Sequence, residues 1–295
     1  MSSEAFVTLL KLVRPKIERA NTTMRRAISA EERLLATLRF LSTGLPFEQL
    51  KNSTVISAPS LGKIIPETCD AIYNALEMEF SMVRNHIKIT EITKKNALFV
   101  YSALDGRHIA IVRPHNSGTY FRNYKGYHSI VLLTLTNAQD EFIMIDVGAN
   151  GRISDGCVLL ENTIFNRMLQ NKTLKLPTQT VNNLCYVFIG GETFSLGENF
   201  LKPFPMRDLT QEKQIFNNRL SRATVVADRS FELMMNRFRV LHTPIRIQDV
   251  NKIDAIVGTC CVLHNYLRRT CSTITPEFDL SLSSHLLLIN STSAS

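Results

Sequence analysis

The sequence predicts an α/β fold: a mixed sheet flanked by helices and preceded by a helical region. Three observations carry this. Apolar residues recur at 3–4 spacing over residues 4–80. Residues 97–148 break into short β-rich runs. A further strand at 185–191 is followed by helical stretches at about 208–241 and 249–268. A run of strands, one more strand and then helices suits a mixed sheet with helices against it.

Taken in order, Phe6, Leu9, Leu10, Val13 and Ile17 form the stripe of a first helix. Ser29-Ala30-Glu31-Glu32 is a capping box, in which the Ser side chain caps a backbone amide and the Glu reaches back. It opens a helix with Leu34, Leu35, Leu38 and Leu41, stopped by Gly44 and Pro46. A short segment holds Phe47 and Leu50. Ser57-Ala58-Pro59-Ser60 then starts a longer helix through Leu76, which Pro66 is expected to kink or divide. Short helices with tight turns suit a helix-turn-helix unit, or equally a bundle that only packs on the next domain. The runs ALFVYSALDG, HIAIVRP, YHSIVLLTLTN and EFIMIDVG read as strands, with a helical stretch from about Asp155 to Leu169 after them. The expected division is a helical region at 1–90, an α/β domain at 97–270 and a poorly ordered Ser/Thr-rich tail at 271–295.

The chain has 295 residues, 44% apolar and 20% charged, which supports a sizeable core and argues against whole-chain disorder. No apolar run approaches the ~18 residues of a membrane span, and charges interrupt the N-terminal apolar stretch, so neither a membrane protein nor a classically secreted one is expected. Six cysteines include no CxxC pair, and Cys260 and Cys261 are adjacent. A zinc ribbon and a disulfide framework therefore fit poorly, and a reducing compartment is the simpler reading. The net charge of +8 suits a nucleic acid, anionic membrane or acidic protein partner. Residues 202–246 carry nine Lys/Arg against four acids.

Several acids are candidates for chemistry. Asp105, before Gly106, reads as the end of the first strand, where open α/β sheets place their sites; Asp-Gly is equally a hairpin signal. Asp155 precedes a helix and is otherwise an N-cap. Asp146 lies in an apolar run, where a carboxylate needs a partner. Asp228 borders the stripe Phe231, Met235 and Phe238, with Arg222 and Arg229 near enough in sequence for a structural ion pair. The segment 116–129 mixes Arg122 and Lys125 with Tyr120, Phe121, Tyr124 and Tyr127, and reads as a phosphate-binding or an ordinary polar hairpin. His264, among apolar helix positions, reads as a hydrogen-bonded core histidine.

Together ALDGRHIAIVRP, NSGTYFRNYKGYHSIVLLTL, FIMIDVGANGRISDGCVL, YVFIGGETFSL, KPFP, FNNRLSRATVVADRSFELMMNRFRVL and CCVLHNYLR resemble the PIF/Harbinger transposases and the nuclease-like proteins derived from them. The matches arrive in family order across residues 97–268, and the stretch ahead of them resembles the family's helical region. The resemblance implies an RNase H-like fold with a DDE-type metal centre that cuts DNA. Its divalent cation, Mg²⁺, would activate water and stabilise the leaving 3′ oxygen. By motif, Asp105 matches the first acid, Asp155 the recurring acid after the third strand, and Asp228 the last, which is normally Glu. The second Asp is missing. Its place falls on Gly191, 86 residues after Asp105 and 37 before Asp228, and Glu192 is the nearest substitute. The metal set implied is Asp105, Asp155, Asp228 and Glu192, with Lys125, Arg219 and Arg222 on DNA phosphate. The stretch before Asp105 is also short and lacks the Trp usual in the family. DNA and a Myb-like partner protein are implied by the resemblance, and a nuclear location follows from the DNA reading alone; the glycine at 191 favours an alternative, a catalytically inactive DNA- or protein-binding module.

Overall fold

The structure, a computed structural model, describes residues 1–23, 26–85, 100–153, 187–192, 194, 196, 200–207 and 209–270. The four N-terminal helices are α1 (Ser3–Ile17), α2 (Ala30–Thr43), α3 (Phe47–Thr54) and α4 (Ala58–Asn85). Ser29 accepts from the Glu32 amide while Glu32 Oε2 accepts from the Ser29 amide at 2.8 Å, so the capping box forms as read. Gly44 closes α2 in the left-handed region, φ +67°, where its bare Cα lies against the backbone of Arg239 and Val240. Pro66 does not divide α4, which runs on through it.

Five strands follow: β1 (Val100–Ala110), β2 (Ser129–Thr136), β3 (Phe142–Asn150), β4 (Val187–Gly190) and β5 (Phe200–Leu201), in the order β3-β2-β1-β4-β5. The β1–β2 and β2–β3 pairs are antiparallel, and β1–β4 and β4–β5 are parallel. The sheet is mixed, as expected. ALFVYSALDG and HIAIVRP are not two strands, because β1 passes through Asp105-Gly106 without turning. Two long helices, α5 (Gln211–Arg237) and α6 (Val250–Thr270), fall where the periodicity placed them. The helix expected near 155–169 and the tail lie outside the described residues.

Strand alternation gives the sheet two faces. Ala103 and Ile189 pack under Leu220, Ala223 and Ala227 of α5. Leu104, Val131, Leu133, Leu135, Met144 and Phe188 build a second cluster with Phe194 and Phe200. The largest core joins α1–α4 to α6 and to Ile109, Ile130, Leu132 and Phe142 of the sheet. Gly258 on α6 lets the Tyr73 ring of α4 approach, since a Cβ there would lie 2.9 Å from it. Thr259 Oγ1 donates to the Cys69 carbonyl at 2.9 Å, and the Tyr266 hydroxyl to the Ala5 carbonyl at 2.7 Å. Cys69, Cys260 and Cys261 are buried free thiols, and burial pushes Cys69 up to about 12, far from metal-binding thiolate character.

His264 and Asn265 of α6 hold the β2–β3 corner. His264 Nε2 donates to the Asp140 carbonyl at 2.7 Å, and the Asp140 carboxylate accepts from Arg229 and Arg268. Asn265 accepts from the Phe142 amide at 3.0 Å and donates to the Phe142 carbonyl at 2.8 Å on β3, the strand at the sheet's edge.

Candidate active site

Asp105 lies within β1 rather than at its carboxyl end. Antiparallel pairing with β2 continues from Ala103↔Thr136 to Ala110↔Ser129, whereas the parallel ladder to β4 stops at Leu104↔Gly190. Asp105 is thus the first residue of β1 beyond the reach of β4. The hairpin reading fails because Gly106 keeps a strand backbone with no positive φ.

Asp105 shares a sheet face with Ala103, the face covered by α5. Its Oδ1 accepts from the Gly106 amide at 2.8 Å and its Oδ2 from Arg107 Nε at 3.1 Å. The other arm of Arg107, Nη2, pairs with Asp228 Oδ1 on α5. The guanidinium also lies over the Phe231 ring, 5.2 Å from its centroid. One cation therefore ties both acids together against a phenyl face. Burial pushes the Asp105 carboxyl above the usual range, Arg107 draws it back, and the negative charge of Asp228 raises it further. The sequence reading anticipated an ion pair for Asp228 with Arg222 or Arg229. The partner is instead Arg107, and Arg229 serves Asp140. Arg107 was missed as a site residue. Its signal was the i, i+2 spacing from Asp105, which puts both on one face of a strand.

Gly191 stands level with Asp105, one residue past the Leu104↔Gly190 pair. Ile189 faces α5, so continued alternation points position 191 the same way. Nothing lies within 4 Å of where its Cβ would stand, so a side chain fits there. Gly190 is the opposite case, closed off by the rings of Phe194 and Phe200. Glu192 is exposed, and its carbonyl accepts from Lys202 at 3.5 Å; no contact joins its side chain to Asp105 or Asp228. Asp155 lies outside the described residues. Asp146 pairs in register with Leu133, which puts it on the face away from Asp105.

The basic residues do not join the acids. Arg219 and Arg222 are exposed on α5, nine and six residues before Asp228. At 3.6 residues per turn they sit about 180° and about 120° around the helix from it. Lys125 lies in the β1–β2 connection, over the Tyr124 ring at 5.6 Å. Tyr120 and Tyr124 are exposed there, at 55% and 70%.

DDE endonucleases generally use divalent metals. Among the described residues no group of three or more His, Cys, Asp or Glu is placed to hold one. Two carboxylates converge, but their shared space is filled by Arg107, the third wall is the Phe231 ring, and Gly191 supplies no oxygen. As built, the described residues do not fit a divalent cation. No helix among them is long and apolar enough to cross a membrane.

The five-stranded mixed sheet, with Asp105 and Asp228 meeting beside its β1–β4 junction, lies within the span that a family comparison matches. The profile described as DDE superfamily endonuclease matches residues 104–265. The chain belongs to that family, in the Harbinger transposase-derived branch that its motifs resemble. It is similar to "Protein ALP1-like" of Arabidopsis thaliana, 26% identical over 172 residues, covering 56% of this chain and 42% of the relative. It is also similar to "Putative nuclease HARBI1" of Mus musculus, 23% identical over 256 residues, and of Homo sapiens, 22% over 253, each covering 83% of this chain and 69% of the relative. The chain thus spans less than half of the plant relative. No solved structure matches it.

Proposed function

We propose that this chain acts on DNA through a DDE-type centre on an RNase H-like sheet, and that its Mg²⁺-dependent phosphodiester cleavage is impaired. The observation that carries this is the meeting of Asp105 and Asp228 beside Gly191. The first and last acids of the motif come together, while the position between them has no ligand. The sheet order, with β1 antiparallel to β2 and parallel to β4, is in keeping with an RNase H-like core. Losing one ligand of a shared metal centre removes several kcal/mol of transition-state stabilisation, hence orders of magnitude in rate.

DNA is the partner this reading requires. Lys125, Arg219 and Arg222 are its proposed phosphate contacts, and Tyr120, Tyr124 and Tyr127 beside Lys125 offer stacking faces. The run α2–α3–α4, with its tight turn at 44–46, is the proposed helix-turn-helix-like element of a 1–90 region ahead of a 97–270 nuclease domain. Nuclear location and a Myb-like partner are part of the same proposal. A second reading, a DNA- or protein-binding module without cleavage, is favoured by the Arg107 bridge.

Plasmid cleavage in Mg²⁺ tests the reading. The native chain is expected to cut slowly or not at all. Gly191→Asp combined with Arg107→Gln is expected to gain at least about tenfold, and Asp105→Ala to abolish that gain. Efficient native cleavage that Asp105→Ala leaves unchanged would mean the centre lies elsewhere.

A further inference from the structure

The Asp105–Asp228 pair is already bridged by a cation from within the chain. Arg107 reaches both carboxylates with separate nitrogens, Nε to Asp105 and Nη2 to Asp228. Its Cζ lies over the ring of Phe231, a buried residue three positions after Asp228 on the same helix. A planar fork matches two carboxylates set apart in this way, and an aromatic face attracts guanidinium. Among the described residues, the same surroundings suit Mg²⁺ or Mn²⁺ poorly. A phenyl ring offers no oxygen, Gly191 offers no side chain, and these ions require several hard oxygen ligands in near-octahedral order. A fixed positive charge between the acids would also repel an incoming cation.

We propose that Arg107 is the resident cation of the Asp105–Asp228 pair: it takes the place of a divalent ion and pins α5 to β1. The proposal rests on the assignment of these two acids as the DDE pair, but its physical content is independent of DNA. Held this way, the centre stays closed to metal, and the packing of α5 on β1 keeps its shape without one. The first obstacle to cleavage is then the occupied site, and the missing ligand at Gly191 is the second.

Divalent-ion binding, measured without DNA, tests this. Native protein, Arg107→Gln and the double variant Arg107→Gln/Asp228→Asn are titrated with Mn²⁺ by calorimetry and melted in EDTA and in Mn²⁺. The native chain is expected to show no saturable binding at millimolar Mn²⁺ and the same melting temperature in both conditions. Arg107→Gln is expected to melt lower in EDTA, to bind Mn²⁺ at least about tenfold more tightly than the native chain, and to recover its melting temperature when loaded. The double variant should lose that recovery. Saturable native Mn²⁺ binding that Asp105→Asn removes would overturn the proposal. So would an Arg107→Gln protein that melts and binds like the native one. If Arg107→Gln does not fold, Arg107→Lys is the substitute: it keeps the charge, loses the fork, and should melt lower in EDTA while still excluding Mn²⁺. A Lys variant indistinguishable from native in melting would overturn the bridging role. Failure of the DNA reading alone would instead appear as absent DNA binding with these metal responses intact.

Discussion

At His264 two demands meet: full burial, which disfavours charge, and a 2.7 Å hydrogen bond from Nε2 to the Asp140 carbonyl. Burial holds the imidazole down to about 4 from an ordinary 6.5. Between those values the unfolded chain binds the proton and the folded one does not, so stability rises with pH through this window and is lost as pH falls. The full effect is about 3 kcal/mol. Urea unfolding at pH 7 and pH 4.5 should show it, and His264→Gln should flatten it. Asp254 has the opposite sign. Burial raises its carboxyl to about 6, and its Oδ1 finds no partner beside Gly148. The folded state holds that proton more tightly, so its contribution falls as pH rises through about 4 to 6. Asp254→Asn is expected to stabilise by about 1 kcal/mol at pH 7, discounted for partial solvent access, and by little at pH 4. The core role of His264 was legible because its neighbours Val262, Leu263 and Tyr266 are apolar. The Arg107 bridge was not, because its second partner lies 121 residues away.

Among the elements, α3 carries a local cost. Its C-cap is Val55 at φ +58°, with the side chain 94% exposed. A β-branched residue in the left-handed region costs about 1–2 kcal/mol, and glycine relieves that with some entropy of its own. Val55→Gly is expected to stabilise by about 0.5–1 kcal/mol in thermal or urea unfolding, losing no buried area. The ends of α2 were legible for the same reason that this flaw is: caps are local, and Ser29, Glu32 and Gly44 state their chemistry in sequence. Strand limits are less so. Asp-Gly at 105–106 carries a turn signal, yet pairing with β2 keeps it extended. β5 has two residues, too short for any periodicity, and exists because Phe200 and Leu201 pair with β4.

For the molecule as a whole, α4 and α6 form the joint between the N-terminal helices and the sheet. Gly258→Val would drive a side chain toward Tyr73, and overpacking of this kind costs about 1–3 kcal/mol. Because one core spans α1–α4, α6 and the sheet, calorimetry should show a single transition moved down rather than two that separate. DNA affinity should fall steeply with salt if the basic surface holds phosphate, and a flat response would remove that contact set. Composition and charge made a folded, basic chain legible. Which helix faces meet was not, since a stripe names a buried side but no partner. One consequence follows from Asn265. Its amide occupies both outward hydrogen-bonding groups of Phe142, so a side chain plays the part of a neighbouring strand at the rim of the sheet. A second chain seeking to add itself along β3 meets a margin already occupied at Phe142, which removes the first pairing position from that edge.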